Sequence, residues 1–211
     1  MAAGGMTLDD ALADCPIVAI LRGVTPNEVV GIAEALFEAG VRAIETPLNS
    51  PSPLDSIARL AEVGRGRMVI GAGTVLSLGE VEGVAKAGGT LCVSPNTDAA
   101  VIAAAVGRGL TSVPGFATAT EAFIAIAAGA RHLKLFPAAT YGPSHLKALK
   151  SVLPASVKVL AVGGVGPAEM AAWRAAGAAG FGLGSELYRP GQSAEETFEK
   201  ARRAVGAAAT A

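Results

Sequence analysis

The chain is short of the residues that most metal and redox chemistry needs. It has 2 cysteines and 2 histidines in 211 residues. Cys15 and Cys92 are too few for a disulfide framework, which makes a reducing cytoplasm the simplest setting. His132 and His145 have no cysteine or carboxylate near them at metal-ligand spacing, which argues against a protein-bound zinc site. Lysine and arginine total 17 against 18 acidic residues, a net charge of −1. No basic stripe or arm exists, so nucleic acid is not an expected partner. No apolar run reaches the length of a membrane span. The opening Met1-Ala2-Ala3-Gly4-Gly5-Met6 lacks a basic segment followed by an apolar one, so no secretory signal is expected. No glycine-rich loop runs into Lys-Ser/Thr, and Gly71-Ala72-Gly73 lacks the dinucleotide-binding spacing.

What is present is a regular alternation. The sequence is 51% hydrophobic and 17% charged. Eight short Val/Ile/Leu-rich runs begin near Ile17, Ala43, Met68, Leu91, Thr111, His132, Val157 and Gly180, each followed by a helical pattern. Strands alternating with helices imply parallel βαβ units, and continuously apolar strands imply sheets covered on both faces. Eight such units predict a single (β/α)8 TIM barrel. Residues 1–14 are expected to form a helix closing the barrel floor, 15–205 the barrel, and 206–211 a frayed tail. Thr25-Pro26-Asn27-Glu28 and Gly166-Pro167-Ala168-Glu169 read as helix starts, with proline at the first helical position. Trp173 falls on an apolar helix face and reads as packing.

Barrel active sites form at the C-terminal ends of the strands. The sixth run holds Lys134, in Leu133-Lys134-Leu135-Phe136-Pro137. A lysine in a buried strand is driven toward the neutral amine, a nucleophile able to form a Schiff base with a carbonyl. The second run holds Glu45, whose burial would raise its pKa toward the range useful for proton transfer. An internal ion pair with Lys134 is the alternative reading of that carboxylate. The second and sixth strands face each other across an eight-stranded barrel and share a layer, so the two side chains converge on one volume.

Other run ends supply polar groups. Arg22, after the first run, can clamp a carboxylate or phosphate, or form a rim salt bridge. Thr74, after Gly71-Ala72-Gly73, can donate to a ligand carboxylate. Pro95 and Phe116 offer an apolar wall, with structure as the default reading. Val162-Gly163-Gly164 and Gly184-Ser185 are glycine-rich loops after the seventh and eighth runs, where many barrels hold phosphate. Ser185 as a plain helix cap is the alternative. His132 reads as a core residue, and Lys147 and Lys150 as solvated.

These residues together resemble the KDPG and KHG aldolase family, the class I aldolases that cleave 2-keto-3-deoxy-6-phosphosugar acids. The landmarks run from Ile17-Val18-Ala19-Ile20-Leu21-Arg22-Gly23 through Gly71-Ala72-Gly73-Thr74-Val75 to Leu133-Lys134-Leu135-Phe136-Pro137-Ala138. Within the family, the segment Thr46-Pro47-Leu48-Asn49-Ser50-Pro51 and the valine at 162 resemble the phosphogalactonate branch rather than the phosphogluconate one. Thr46 departs from the aliphatic residue usual in both, and is expected to face away from the site.

The resemblance implies Lys134 as Schiff-base lysine and Glu45 as general acid/base. Arg22 and Thr74 would hold the carboxylate, and Gly163, Gly164, Gly184 and Ser185 the phosphate, with Val162 near the C4 oxygen. It also implies a homotrimer, no metal or organic cofactor, and pyruvate and glyceraldehyde 3-phosphate as products. A phosphate-binding barrel isomerase and a barrel that has lost turnover are the rival readings.

Overall fold

The core is two concentric apolar layers, and strand alternation decides which residue enters which. In a computed structural model, which describes residues 5–211, parallel strands form one ring. Its members are β1 (Ile17–Ile20), β2 (Ala43–Pro47), β3 (Val69–Gly73), β4 (Leu91–Val93), β5 (Thr111–Val113), β6 (Gly115–Phe116), β7 (His132–Leu135), β8 (Lys158–Val162) and β9 (Gly180–Leu183). Val18, Ala43, Val69, Leu91, Val93, Val113, Leu160 and Val162 fill the barrel interior. Their neighbours Ile17, Ala19, Ile44, Ile70, Cys92, Leu133, Val159 and Phe181 pack outward against the helices. Both strand faces are thus buried, as expected for an all-parallel sheet.

The sequence predicts eight strands, and the structure has eight with the fifth in two pieces. Proline has no N–H to donate to a ladder, and Pro114 separates β5 from β6. β5 pairs with β4 and β6 with β7, so the break lies where the ring closes. The Pro114 carbonyl still accepts the Lys134 N–H at 2.9 Å. The result is the expected (β/α)8 architecture.

The helices are α1 (Leu8–Asp14), α2 (Val29–Glu38), α3 (Pro53–Val63), α4 (Leu78–Lys86), α5 (Ala99–Gly107), α6 (Ala119–Ala127), α7 (Ala138–Lys150), α8 (Met170–Ala175) and α9 (Ala194–Ala209). Thr7 and Asp10 form a capping box that starts α1. Leu8, Ala11 and Leu12 then pack against the interior strand residues, so α1 plugs the end of the barrel opposite the cavity described below. Asp9 fastens it: its carboxylate accepts from His132 and Lys158, both at 2.7 Å. His132 is therefore a partnered residue of the floor. Cys15 and Cys92 are free and buried. No helix among the described residues is long and apolar enough to cross a membrane.

Three boundary expectations need correction. Residues 26–28 form a turn, and α2 begins only at Val29. Pro167–Glu169 is a single 3-10 turn ahead of α8, in which Trp173 is buried as expected. At the other end, α9 runs helical to Ala209 with Ala208 buried, because its apolar stripe continues to pack inward. Residues 206–209 of the tail expected to fray belong to α9, and residues 210–211 lie beyond its end.

Candidate active site

A cavity of about 200 Å³ opens at the C-terminal ends of the strands. β1 delivers Arg22 to it, β2 Glu45, β3 Thr74, β7 Lys134 and Phe136, β8 Val162 with Gly163 and Gly164, and β9 leads into Gly184, Ser185 and Glu186. All nine residues singled out from the sequence line this one space.

Lys134 and Glu45 are there for the reason that strand parity gives. Glu45 follows the interior residue Ala43 by two positions, and Lys134 follows His132 by two, so both point inward. They are almost fully enclosed, at 7% and 3% exposure. Burial pushes the Glu45 carboxyl from 4.5 up to about 7, against the opposing pull of the Lys134 and Arg22 charges. Burial likewise lowers the pKa of the Lys134 amine, with Glu45 opposing and Arg22 reinforcing the shift. A carboxyl poised near neutrality beside an amine that gives up its proton more readily than a free lysine suits a general acid/base next to a nucleophile. Glu45 Oε2 has no hydrogen-bond partner within the protein, so the carboxyl is not spent on a structural contact.

The surroundings hold this pair in place. Gly73 on the adjoining strand lies flat against the Glu45 carboxylate, where a side chain would overlap it. Thr74, the next residue, sits at φ 58°, a conformation unfavourable for a non-glycine residue. The Lys134 Nζ lies 4.7 Å from the centre of the Phe136 ring. Arg22 Nη1 donates to Asn49 Oδ1 at 2.8 Å, which fixes the guanidinium at the mouth; its partner is an amide, so the rim salt bridge weighed from sequence is not made there.

The glycine loops are shaped by backbone conformation. Gly163 and Gly164 have φ of 94° and 73°, successive left-handed residues that L side chains rarely adopt. Such a turn presents backbone N–H groups to an anion. Ser185 caps no helix: it lies in a turn after Gly184, and α9 starts only at Ala194. The helix start expected beside it is absent, so any anion held there meets turn backbone and the Ser185 hydroxyl.

Sequence reading placed three features imperfectly. Phe116 is buried in the outer layer, and Phe136 joins Pro95 as the apolar wall. Phe136 has the strand parity of Lys134, a signal that was available. Glu186 also lines the cavity, with nothing in its local sequence to set it apart from a solvated glutamate. Lys147 is exposed, but Lys150 is half-buried and donates to the Val157 carbonyl at 3.1 Å. Thr46 is fully buried on the outward face of β2, away from the cavity. Among the described residues, no cluster of three or more His, Cys, Asp or Glu could hold a metal ion.

Comparison with known proteins bears on the family and the fold. The family model described as KDPG and KHG aldolase matches residues 8–203. The 2-dehydro-3-deoxy-6-phosphogalactonate aldolase of Escherichia coli (strain K12) is 50% identical over 91% of this chain and 94% of its own. A solved structure described as native KDPGal superposes with a TM-score of 0.91 at 49% identity, covering 92% of this chain and 95% of that one. A designed, cube-shaped protein cage made by fusing symmetric oligomeric domains matches with a TM-score of 0.91 at 49% identity, over 93% of this chain and 73% of that chain.

Proposed function

The chain belongs to the KDPG and KHG aldolase family, and from that premise we propose that it cleaves 2-dehydro-3-deoxy-6-phosphogalactonate to pyruvate and glyceraldehyde 3-phosphate through a Schiff base on Lys134. The observation that carries the reading is the enclosure of Lys134 and Glu45 in one cavity at the barrel mouth.

The Lys134 amine attacks the C2 ketone and forms a carbinolamine. Glu45 supplies the proton that lets water leave, and the resulting iminium is an electron sink. Glu45, now a carboxylate, takes the proton of the C4 hydroxyl, directly or through a water. The C3–C4 bonding pair flows into the iminium, and glyceraldehyde 3-phosphate departs. The enamine takes a proton at C3, and water then releases pyruvate and restores the amine. Carbon, protons and electrons balance without an external oxidant or reductant.

Arg22 and Thr74 hold the C1 carboxylate, a role suited to a guanidinium and a hydroxyl at the rim. Gly163, Gly164, Gly184 and Ser185 hold the phosphate through backbone N–H groups and one hydroxyl. Val162 stands by the C4 oxygen and favours one epimer by withholding a hydroxyl. No metal or organic cofactor enters the cycle, because the iminium performs the electron withdrawal.

The assembly is a homotrimer in this reading. Leu76, Leu78, Val106, Phe123 and Ile124 are exposed apolar side chains that a subunit interface would cover. The likeness to a chain built from symmetric oligomeric domains is consistent with it. Two unpaired cysteines suit a cytoplasmic setting. Pyruvate release from each C4 epimer, assayed side by side, tests the substrate: faster turnover of the galactonate epimer is expected, and equal or reversed rates assign the chain to dual or phosphogluconate specificity.

A further inference from the structure

Two loops at the mouth of the cavity follow the paired strands β1 and β9, and one partly buried hydrogen bond ties them together. The first runs from Arg22 into α2, and the second from Gly184 to Pro190. Tyr188 is 2% exposed, and its hydroxyl donates to Glu28 Oε1 at 2.5 Å. The same oxygen accepts the Thr25 N–H at 3.1 Å, so Glu28 closes its own loop while receiving the other. On the second loop, the Leu187 and Tyr188 N–H groups both donate to the Gly184 carbonyl, at 2.8 and 3.0 Å. The turn bearing Ser185 is therefore a closed unit bonded directly to Tyr188. A second contact repeats the tie: the Pro190 ring packs over Gly23, beside Arg22, leaving no space for a side chain there.

Neither Tyr188 nor Glu28 lines the cavity, and the reaction as derived uses neither. Their hydrogen bond nonetheless joins the loops that carry the two groups gripping the substrate. We propose that Tyr188 and Glu28 are positioning residues that set the separation between the carboxylate clamp at Arg22 and the phosphate cradle at Gly184 and Ser185, and so match the site to the length of a phosphorylated sugar acid. This rests on the aldolase reading above. Burial, together with the Glu28 carboxylate, raises the pKa of the Tyr188 phenol, so the hydroxyl remains a donor through the working range.

The test compares Tyr188→Phe, Glu28→Ala and Glu28→Gln with the unsubstituted chain, by pyruvate-release kinetics and by borohydride trapping with pyruvate alone. Pyruvate has no phosphate, so it uses Lys134 and the carboxylate clamp but not the cradle at Gly184 and Ser185. Losing a partly buried hydrogen bond to a carboxylate, and with it the spacing of the two grips, should raise KM for the phosphorylated substrate about tenfold in Tyr188→Phe and Glu28→Ala. Their kcat and pyruvate trapping should stay within about twofold of normal. Glu28→Gln keeps an acceptor oxygen and should keep a near-normal KM. An unchanged KM in Tyr188→Phe overturns the proposal, as does a rise in KM matched by a loss of pyruvate trapping, which would make the tie a general support of the fold. Trapping in the unsubstituted chain reports on the aldolase reading, and the KM ratios report on the tie, so the two fail separately.

Discussion

Gly73 lies so close to Glu45 that the glycine is part of the carboxylate's binding wall: a β-carbon at position 73 would occupy the space of the Glu45 carboxyl oxygens. The two belong to neighbouring strands, with Glu45 paired to Gly71 and Pro47 to Gly73. The absence of a side chain at 73 is what leaves room for the Glu45 carboxyl where it stands.

Gly73→Ala should therefore displace the carboxyl without removing it. General acid/base groups contribute about 10²–10⁴-fold to rate, so a fall in kcat of about 10²-fold is expected. The rate of pyruvate release, measured beside a thermal melt, checks this; full activity in a folded variant would show that the Glu45 position is not critical.

The ionisation of Glu45 should appear in the rate. With its pKa raised to about 7, the carboxylate needed to accept the C4 hydroxyl proton forms as pH rises through neutrality. The kcat profile should climb to a plateau across that range, and Glu45→Gln should lose about 10²–10⁴-fold and flatten the limb. A profile flat from pH 5.5 to about 8 in the unsubstituted chain would remove Glu45 from the proton transfers.

The same shift has a stability consequence of fixed sign. A carboxyl with a pKa of 4.5 unfolded and about 7 folded binds more protons in the folded state between those values. Its contribution is fully present below about pH 4.5 and is lost as pH rises through about 7. Glu45→Gln should then melt at a higher temperature than the unsubstituted chain at pH 8, with the difference shrinking toward pH 4.5. Melting curves at several pH values decide it; a variant less stable at pH 8 contradicts the burial argument.

Most of this site is legible in the sequence because it depends on two simple rules. Parity along a strand points Glu45 and Lys134 inward, and barrel topology gathers Arg22, Thr74, Gly163 and Ser185 at one end. The failures come where local chain chemistry overrides the pattern. Pro114 splits a strand that reads as continuous, since its missing donor is felt only when the neighbouring ladder is known. Phe136 replaces Phe116 as the apolar wall although parity alone separates them: Phe116 lies three positions past the inward Val113 and pairs with the outward Leu135, whereas Phe136 shares the parity of Lys134. The Tyr188–Glu28 tie carries no local signal, because its partners lie far apart in sequence, and the left-handed Thr74 is a conformation that threonine rarely adopts.

Val162 is 5% exposed and lines the cavity. Val162→Thr preserves shape and adds a hydroxyl. The ratio of kcat/KM for the gluconate epimer over the galactonate epimer should rise, by about 10-fold, the order expected for one hydrogen bond to a substrate hydroxyl. Paired assays on the two epimers check it, and an unchanged ratio would place epimer choice elsewhere.

The central claim concerns one amine, and it can be trapped directly. The chain is incubated with pyruvate and borohydride, digested, and its peptides are weighed. The account predicts a reduced three-carbon adduct on Lys134 alone, with the exposed Lys147 and the half-buried Lys150 unmodified. An adduct on another lysine, or none at all, would contradict it.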